Sequence, residues 1–258
     1  MDPSKNIKNL QKLIEIGLAL SREKNISILL EKILNEARTI ANSDGGTVYL
    51  ISNNDKKLSF EIMQTLSLNV KYGGSAEPVP DQFYPVKLYN DDGSKNINNV
   101  ATVCVLENKT INIKDAYKDK NYDFSGTKGF DKKHKYHSKS LLTIPLTNHK
   151  QKVVGVLQLL NAKDGDEIIS FSQDIVNFIE ALASQASVAL TSSLLVEEQK
   201  NLFKSFIKLV AEALENKDEV TGGHCNRVPV LTMMIAEAIN SDKTDLFKNF
   251  SFSEDELD

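Results

Sequence analysis

The chain has 258 residues, 41% hydrophobic and 26% charged, enough to bury a core in one large or two smaller domains. Its net charge of −4 offers no general attraction to polyanions, so a nucleic acid polymer is not an expected partner. The N-terminus, MDPSKNIKNLQKL, lacks the apolar core of a signal peptide, and no run reaches the roughly 18 apolar residues of a membrane span. The two cysteines, Cys104 and Cys225, make no disulfide framework, and a cytoplasmic protein with no membrane partner is the expectation.

Ile7, Leu10, Ile14 and Leu18 recur at helical spacing in the first 23 residues, and Ile26, Leu29, Leu30, Ile33, Leu34, Ala37 and Ile40 do so more strongly after Asn25. These are two amphipathic helices. Asn42 to Gly46 interrupts the pattern; Thr47 to Ile51 and Leu58 to Leu68 then read as a hairpin across the polar turn Asn53-Asn54-Asp55. Asn69 to Asn99 holds Gly73, Gly74, Pro78, Pro80, Pro85 and Gly93, too many breakers for a regular element, and is expected to be a long loop or flap. Val100 to Glu107 reads as a short helix and Thr110 to Ile113 as a strand. The lysine-rich stretch from Asp115 to Lys139 suits a loop with short helical turns. Ser140 to Leu146 and Val153 to Leu160 form a second hairpin. Helices flanking an antiparallel sheet give an α+β domain.

From Ser172 to Asn216 there is neither Pro nor Gly. Steps of four and three residues pick out Ile175, Ile179, Leu182, Ala186, Ala189, Ser193, Val196, Lys200, Phe203, Ile207, Val210 and Leu214, a seam that only Ser193 and Lys200 break. A repeat of this period is what paired helices need, so the stretch predicts a helix of about 65 Å that forms a parallel coiled coil and a homodimer through Ile175 to Ala189. Two shorter helices meeting near Thr191-Ser192-Ser193 are the alternative. Beyond Asn216, Thr221 suits a helix cap, and His224, Val228, Leu231, Ile235 and Ala238 share one face.

The runs VATVCVLENKTINIKDAY, KSLLTIPLTNHKQKVVGVLQLLNAKDG and IEALASQASVAL resemble a GAF sensory domain, over about residues 5 to 195. The resemblance implies a small-molecule sensor, commonly dimeric, whose flanking helices pass a ligand signal to an output domain. Where cyclic-nucleotide-binding relatives carry Asp-x-x-Thr-Gly-x-x-Thr, this chain has Asp131, His134 and Ser138. Thr47 and Ala101 fall on two further pocket positions, and Gln158 falls where some relatives have Glu. A second family motif leaves Asn161, a displaced Lys163, Phe171 and an early Asp174. The ligand is therefore open between a cyclic nucleotide, another small molecule and none.

The run ALENKDEVTGGHCNRVPVLTMMIAEA resembles the opening of an HD-GYP domain, a metal-dependent cyclic di-nucleotide phosphodiesterase. It implies that His224, in Gly-His-x-x-Arg-Val, is a metal ligand in the completed HD domain, where iron or manganese would be bound. The family's His-Asp dyad, later histidines and Gly-Tyr-Pro motif do not occur in this sequence, and this chain is expected to be inactive by itself. The expected organisation is a GAF sensory domain over 1–171, its C-terminal helix and signalling coiled coil over 172–200, and a truncated, all-α HD fragment over 201–258. Two other readings are a dimerisation scaffold with an empty pocket and a metal-dependent phosphohydrolase. Among weaker signals, His134 and His137 form an HxxH in a charged loop, read as a solvated surface. Lys128, Lys132, Lys133, Lys135 and Lys139 either attract an anion or form a solvated face. Cys104, within Val103-Cys104-Val105, is expected to be buried.

Overall fold

The computed structural model describes residues 3–52, 56–215, 224–242, 244, 247, 250–253 and 257, with side chains left aside at 3–10, 214–215 and 224–226. It divides into two compact units, Met1–Leu195 and Val196–Asp258.

The first unit opens with helices α1 (Pro3–Ser21) and α2 (Ile26–Ala41). Asparagine sets both ends of α2: the Asn25 side chain accepts from the Ile28 N–H, and Asn42 takes the left-handed conformation at φ 45°. The hairpin of β1 (Ser43–Ser52) and β2 (Lys57–Thr65) follows, then β3 (Val70–Tyr72) and β4 (Val86–Lys87). Helix α3 (Val100–Glu107) and β5 (Ile111–Ile113) lead to α4 (Ser125–His134). Strands β6 (Leu141–Thr147), β7 (Val153–Asp164) and β8 (Glu167–Ile169) complete one antiparallel sheet, ordered β3-β2-β1-β7-β6-β5, with β4 on β2 and β8 on β7. Helix α5 runs unbroken from Gln173 to Glu215.

Successive strand residues face opposite sides, and two cores result. Val48, Ile62, Leu142, Ile144, Leu157 and Leu159 pack with α1, α2 and α5. Tyr49, Leu58, Leu141 and Val156, each next to or near one of those, pack instead with α3, β5 and Phe124. Cys104 is fully buried in this second core.

Four expectations change. Strand β1 begins at Ser43 and runs through Gly45 and Gly46, where the glycines suggested a break. A Cβ on Gly46 would lie 2.6 Å from Leu34 Cδ1 and 2.9 Å from the Gln158 carbonyl, so the glycine is there because α2 presses on the strand. The lysine-rich stretch holds a full helix, α4, and the flap holds β3 and β4. The alternative of two shorter helices at Thr191-Ser192-Ser193 is overturned by the continuity of α5; the Thr191 hydroxyl donates back to the Ser187 carbonyl at 2.7 Å, which keeps it within the helix.

The apolar seam of α5 also finds a different use. Ile179, Leu182 and Ala186 are 0% exposed and Ala189 only 8%, all within the core of their own protomer. Ser187 anchors this stretch by donating to the Thr147 carbonyl at 2.7 Å. These residues are not free to pair with a second copy. Gln173–Ala213 is long and apolar enough in composition to cross a membrane, although no unbroken apolar run marks it in the sequence, but its first half is spent on that core. Further along, Val188, Leu195, Leu202 and Leu209, spaced by seven, are all at least half exposed.

In the second unit, α6 (His224–Ser241) contains Pro229 and leaves Val228, Leu231 and Ile235 exposed. Thr221 lies outside the described residues, as do the side chains of His224 and Cys225.

Candidate functional site

The sheet face opposite α2 and α5 carries a cavity of about 280 Å³. Its floor follows from strand register. Thr47 on β1 stands opposite Gln158 on β7, and both line the cavity; Thr143 on β6, opposite Gln158, continues the polar row outside the lining. Gln158 donates through Nε2 to Thr143 Oγ1 at 3.0 Å and accepts the Tyr49 hydroxyl at Oε1, 3.3 Å away. Burial holds the Tyr49 phenol well above its ordinary pKa, so it stays a neutral donor.

Aromatic rings make the walls. Tyr49 and Phe60 lie 4.7 Å apart between centroids, and Phe83, reaching in from the flap, lies 5.8 Å from Phe60. Phe124 and Phe130 close the side formed by α4. Asn99 and Val100 at the start of α3, and Asp123, Gly126 and Thr127 at the start of α4, line the rest.

Ser138 lines the cavity at 2% exposure and is held from behind by Asp131, whose carboxylate accepts its backbone N–H and its hydroxyl, both at 2.8 Å. Asp131 also accepts from the Tyr117 hydroxyl at 2.9 Å. The segment carrying Ser138 is pinned by Asn161, which takes φ 55° within β7. Its Oδ1 accepts from Lys139 and Ser140 N–H groups, and its Nδ2 donates to the Tyr136 hydroxyl and the His137 carbonyl. The displaced Lys163 pairs with Asp44 at 2.5 Å, and the Phe171 carbonyl accepts from Asn112.

Of the six residues singled out from the sequence, Thr47, Ser138 and Gln158 are among the cavity's lining residues. Asp131 sits behind Ser138, Ala101 is buried beside Val100, and His134 stacks on Phe130 at 4.3 Å between ring centroids; these three are not among the lining residues. Nor are Lys128, Lys132, Lys133, Lys135 and Lys139; the first four are exposed, and Lys139 donates to the Ile168 carbonyl. His134 and His137 face Phe130 and Tyr117 separately. Among the described residues no group of three or more His, Cys, Asp or Glu could hold a metal ion. The sequence reading missed the aromatic walls; the alternation Leu58, Phe60 on one strand face was the signal for Phe60.

An antiparallel sheet between two helical layers, with a partly open cavity on one face, is an α+β architecture. Residues 25–190 match the GAF domain family, and the chain belongs to it. It is similar to the dual 3',5'-cyclic-AMP and -GMP phosphodiesterase 11A of Takifugu rubripes, 23% identical over 248 residues, covering 91% of this chain and 26% of that protein. The chain thus spans about a quarter of the length of this relative. Two solved structures show the same fold. The GAF domain of an Acinetobacter phosphoenolpyruvate-protein phosphotransferase matches at TM-score 0.53 and 16% identity, over 74% of this chain and 98% of that one. That of the Coxiella burnetii phosphotransferase matches at 0.51 and 12%, over 76% and 98%.

Proposed function

We propose that this chain is a small-molecule-sensing regulatory module of the cytoplasm, in which occupancy of the cavity biases α5 and so an output domain joined to it. One observation carries the reading. On β1, Thr47 and Tyr49 line the cavity while Val48 between them packs in the core that holds α5. A ligand that shifts the strand moves both layers, and it acts as a signal to the extent that it binds one arrangement better than the other.

The output is read as an HD-GYP cyclic di-nucleotide phosphodiesterase, supported by the run from Ala213 to Ala238 and by similarity to a cyclic nucleotide phosphodiesterase. His224 would be a metal ligand, for iron or manganese, once the other ligands of a complete site are present. The exposed stripe of Val188, Leu195, Leu202 and Leu209 on α5 supports a homodimer in which two such helices pair.

Native mass spectrometry of the purified chain tests the sensor. A retained adduct, released on denaturation and weakened by Phe60→Ala, is expected. A bare polypeptide mass, together with no binding in a ligand screen, would favour the second reading, a dimerising scaffold. That reading has its own support, since Tyr49, Gln158 and Thr143 satisfy one another without a ligand.

A further inference from the structure

We propose that the cavity takes a planar ring compound that is neutral or positively charged, and rejects anionic ones. The inference rests on the sensor reading above and specifies its ligand. Flat rings suit the walls: Tyr49, Phe60, Phe83, Phe124 and Phe130 come from four separate segments and enclose one space.

Among the lining residues the ionised side chain is an acid; Arg38 stands behind the lining Gln64 and donates to it, and Lys128 lies near Asp123, but both are outside the lining. No lysine or arginine is among the lining residues, and Asp123 is. Its carboxylate accepts from the Ser125 N–H at 2.8 Å and the Ser125 hydroxyl at 3.0 Å, which hold it ionised at the mouth. A second carboxylate, Asp131, lies directly behind Ser138, and the groups that donate to it, from Ser138 and Tyr117, are neutral.

Helix N-termini are the usual way for a site without basic side chains to hold an anion, and two open here. The first is engaged by a side chain and the second is guarded by a carboxylate. At α3 the Asn99 side chain takes the N–H groups of Ala101 and Thr102. At α4 the Asp123 carboxylate occupies the end where an incoming anion would sit. An anionic ligand would therefore lose its hydration with no cation to replace it, and would meet Asp123 besides. A neutral ring with a carbonyl or ring nitrogen fits instead. Gly126 and Thr127, in the first turn of α4, have backbone N–H groups without an intrahelical partner. A cationic ring gains from Asp123 and from the aromatic faces.

The test is ligand-observed NMR on the full chain, with ring compounds in matched sets. Indole, tryptamine and indole-3-acetate form one set; adenine and 3',5'-cyclic AMP form another. Binding is expected for neutral and cationic members and about tenfold or more weaker for anionic ones. Phe83→Ala should weaken every hit. Asp123→Asn should cost the cationic members about three- to fivefold and leave the neutral ones unchanged. Anionic members that bind as tightly as their neutral partners would overturn the charge rule while leaving a sensor in place. Silence from every compound would overturn the sensor reading as well.

Discussion

The Tyr136 hydroxyl donates to the Asp44 carboxylate at 2.8 Å, across 92 residues of sequence. The same carboxylate accepts from the Ser67 hydroxyl at 2.6 Å and pairs with Lys163, so one buried acid at the start of β1 ties together the β2–β3 turn, the segment before β6 and the end of β7. Burial would raise its pKa, but Lys163, Ser67 and Tyr136 outweigh that and hold the carboxyl below the usual carboxylate range.

Asp44→Asn is therefore expected to destabilise the first unit by about 2–4 kcal/mol at pH 7, at the lower end because Lys163 can turn to water. A carboxyl whose folded pKa is depressed contributes fully above its unfolded pKa of about 3.9, and loses that contribution as pH falls through the folded pKa. Urea midpoints of the two proteins should converge below about pH 4. A gap independent of pH would remove Asp44 from this role.

At Gly155, a Cβ would lie 2.4 Å from the Tyr49 carbonyl on the neighbouring strand. Backbone cannot rotate aside as a side chain can. Gly155→Ala should cost about 1–3 kcal/mol and lower the melting temperature by several degrees, whereas Gly129→Ala, with nothing within 4 Å, should not destabilise. Equal melting temperatures in calorimetry would contradict the register at this point.

The helix α5 separates two kinds of apolar residue. Leu195→Glu with Leu202→Glu is expected to give a folded monomer by light scattering, since both residues are exposed in the protomer. Leu182→Glu should unfold the first unit outright, because that residue is 0% exposed in its core. A folded, dimeric double variant would exclude this stripe as the pairing surface.

Burial pushes the Cys104 thiol up to about 12. In a Cys225→Ser background, Ellman's reagent should release no thiolate from the native protein at pH 8 and one equivalent after denaturation. Rapid native reaction would show that the core around α3 opens.

Periodicity made the helices legible from the sequence, and alternation made the two hairpins so, because burial imposes both patterns. It could not say who covers an apolar face. The seam from Ile179 to Ala189 has the repeat of a coiled coil, yet it lies against Val48, Leu157 and Leu159 of its own sheet. Helix α4 escaped notice because Phe130 is its sole large apolar side chain and lysines dominate its surface. Within the site, Thr47, Ser138 and Gln158 could be placed by resemblance. Phe60, Phe83, Phe124 and Phe130 could not, since only the folded sheet and flap bring three distant segments together.

Strand alternation on β1 and β7 also divides the labour of change. Thr47, Tyr49 and Gln158 face the cavity, while Val48, Leu157 and Leu159 face the helices. A substitution at one of the first set rewrites the chemistry offered to a ligand without disturbing a packed methyl on the other side. On the proposed reading, recognition and transmission would occupy the same few strands yet drift independently, so a descendant of this domain could acquire a new stimulus while keeping its old wiring.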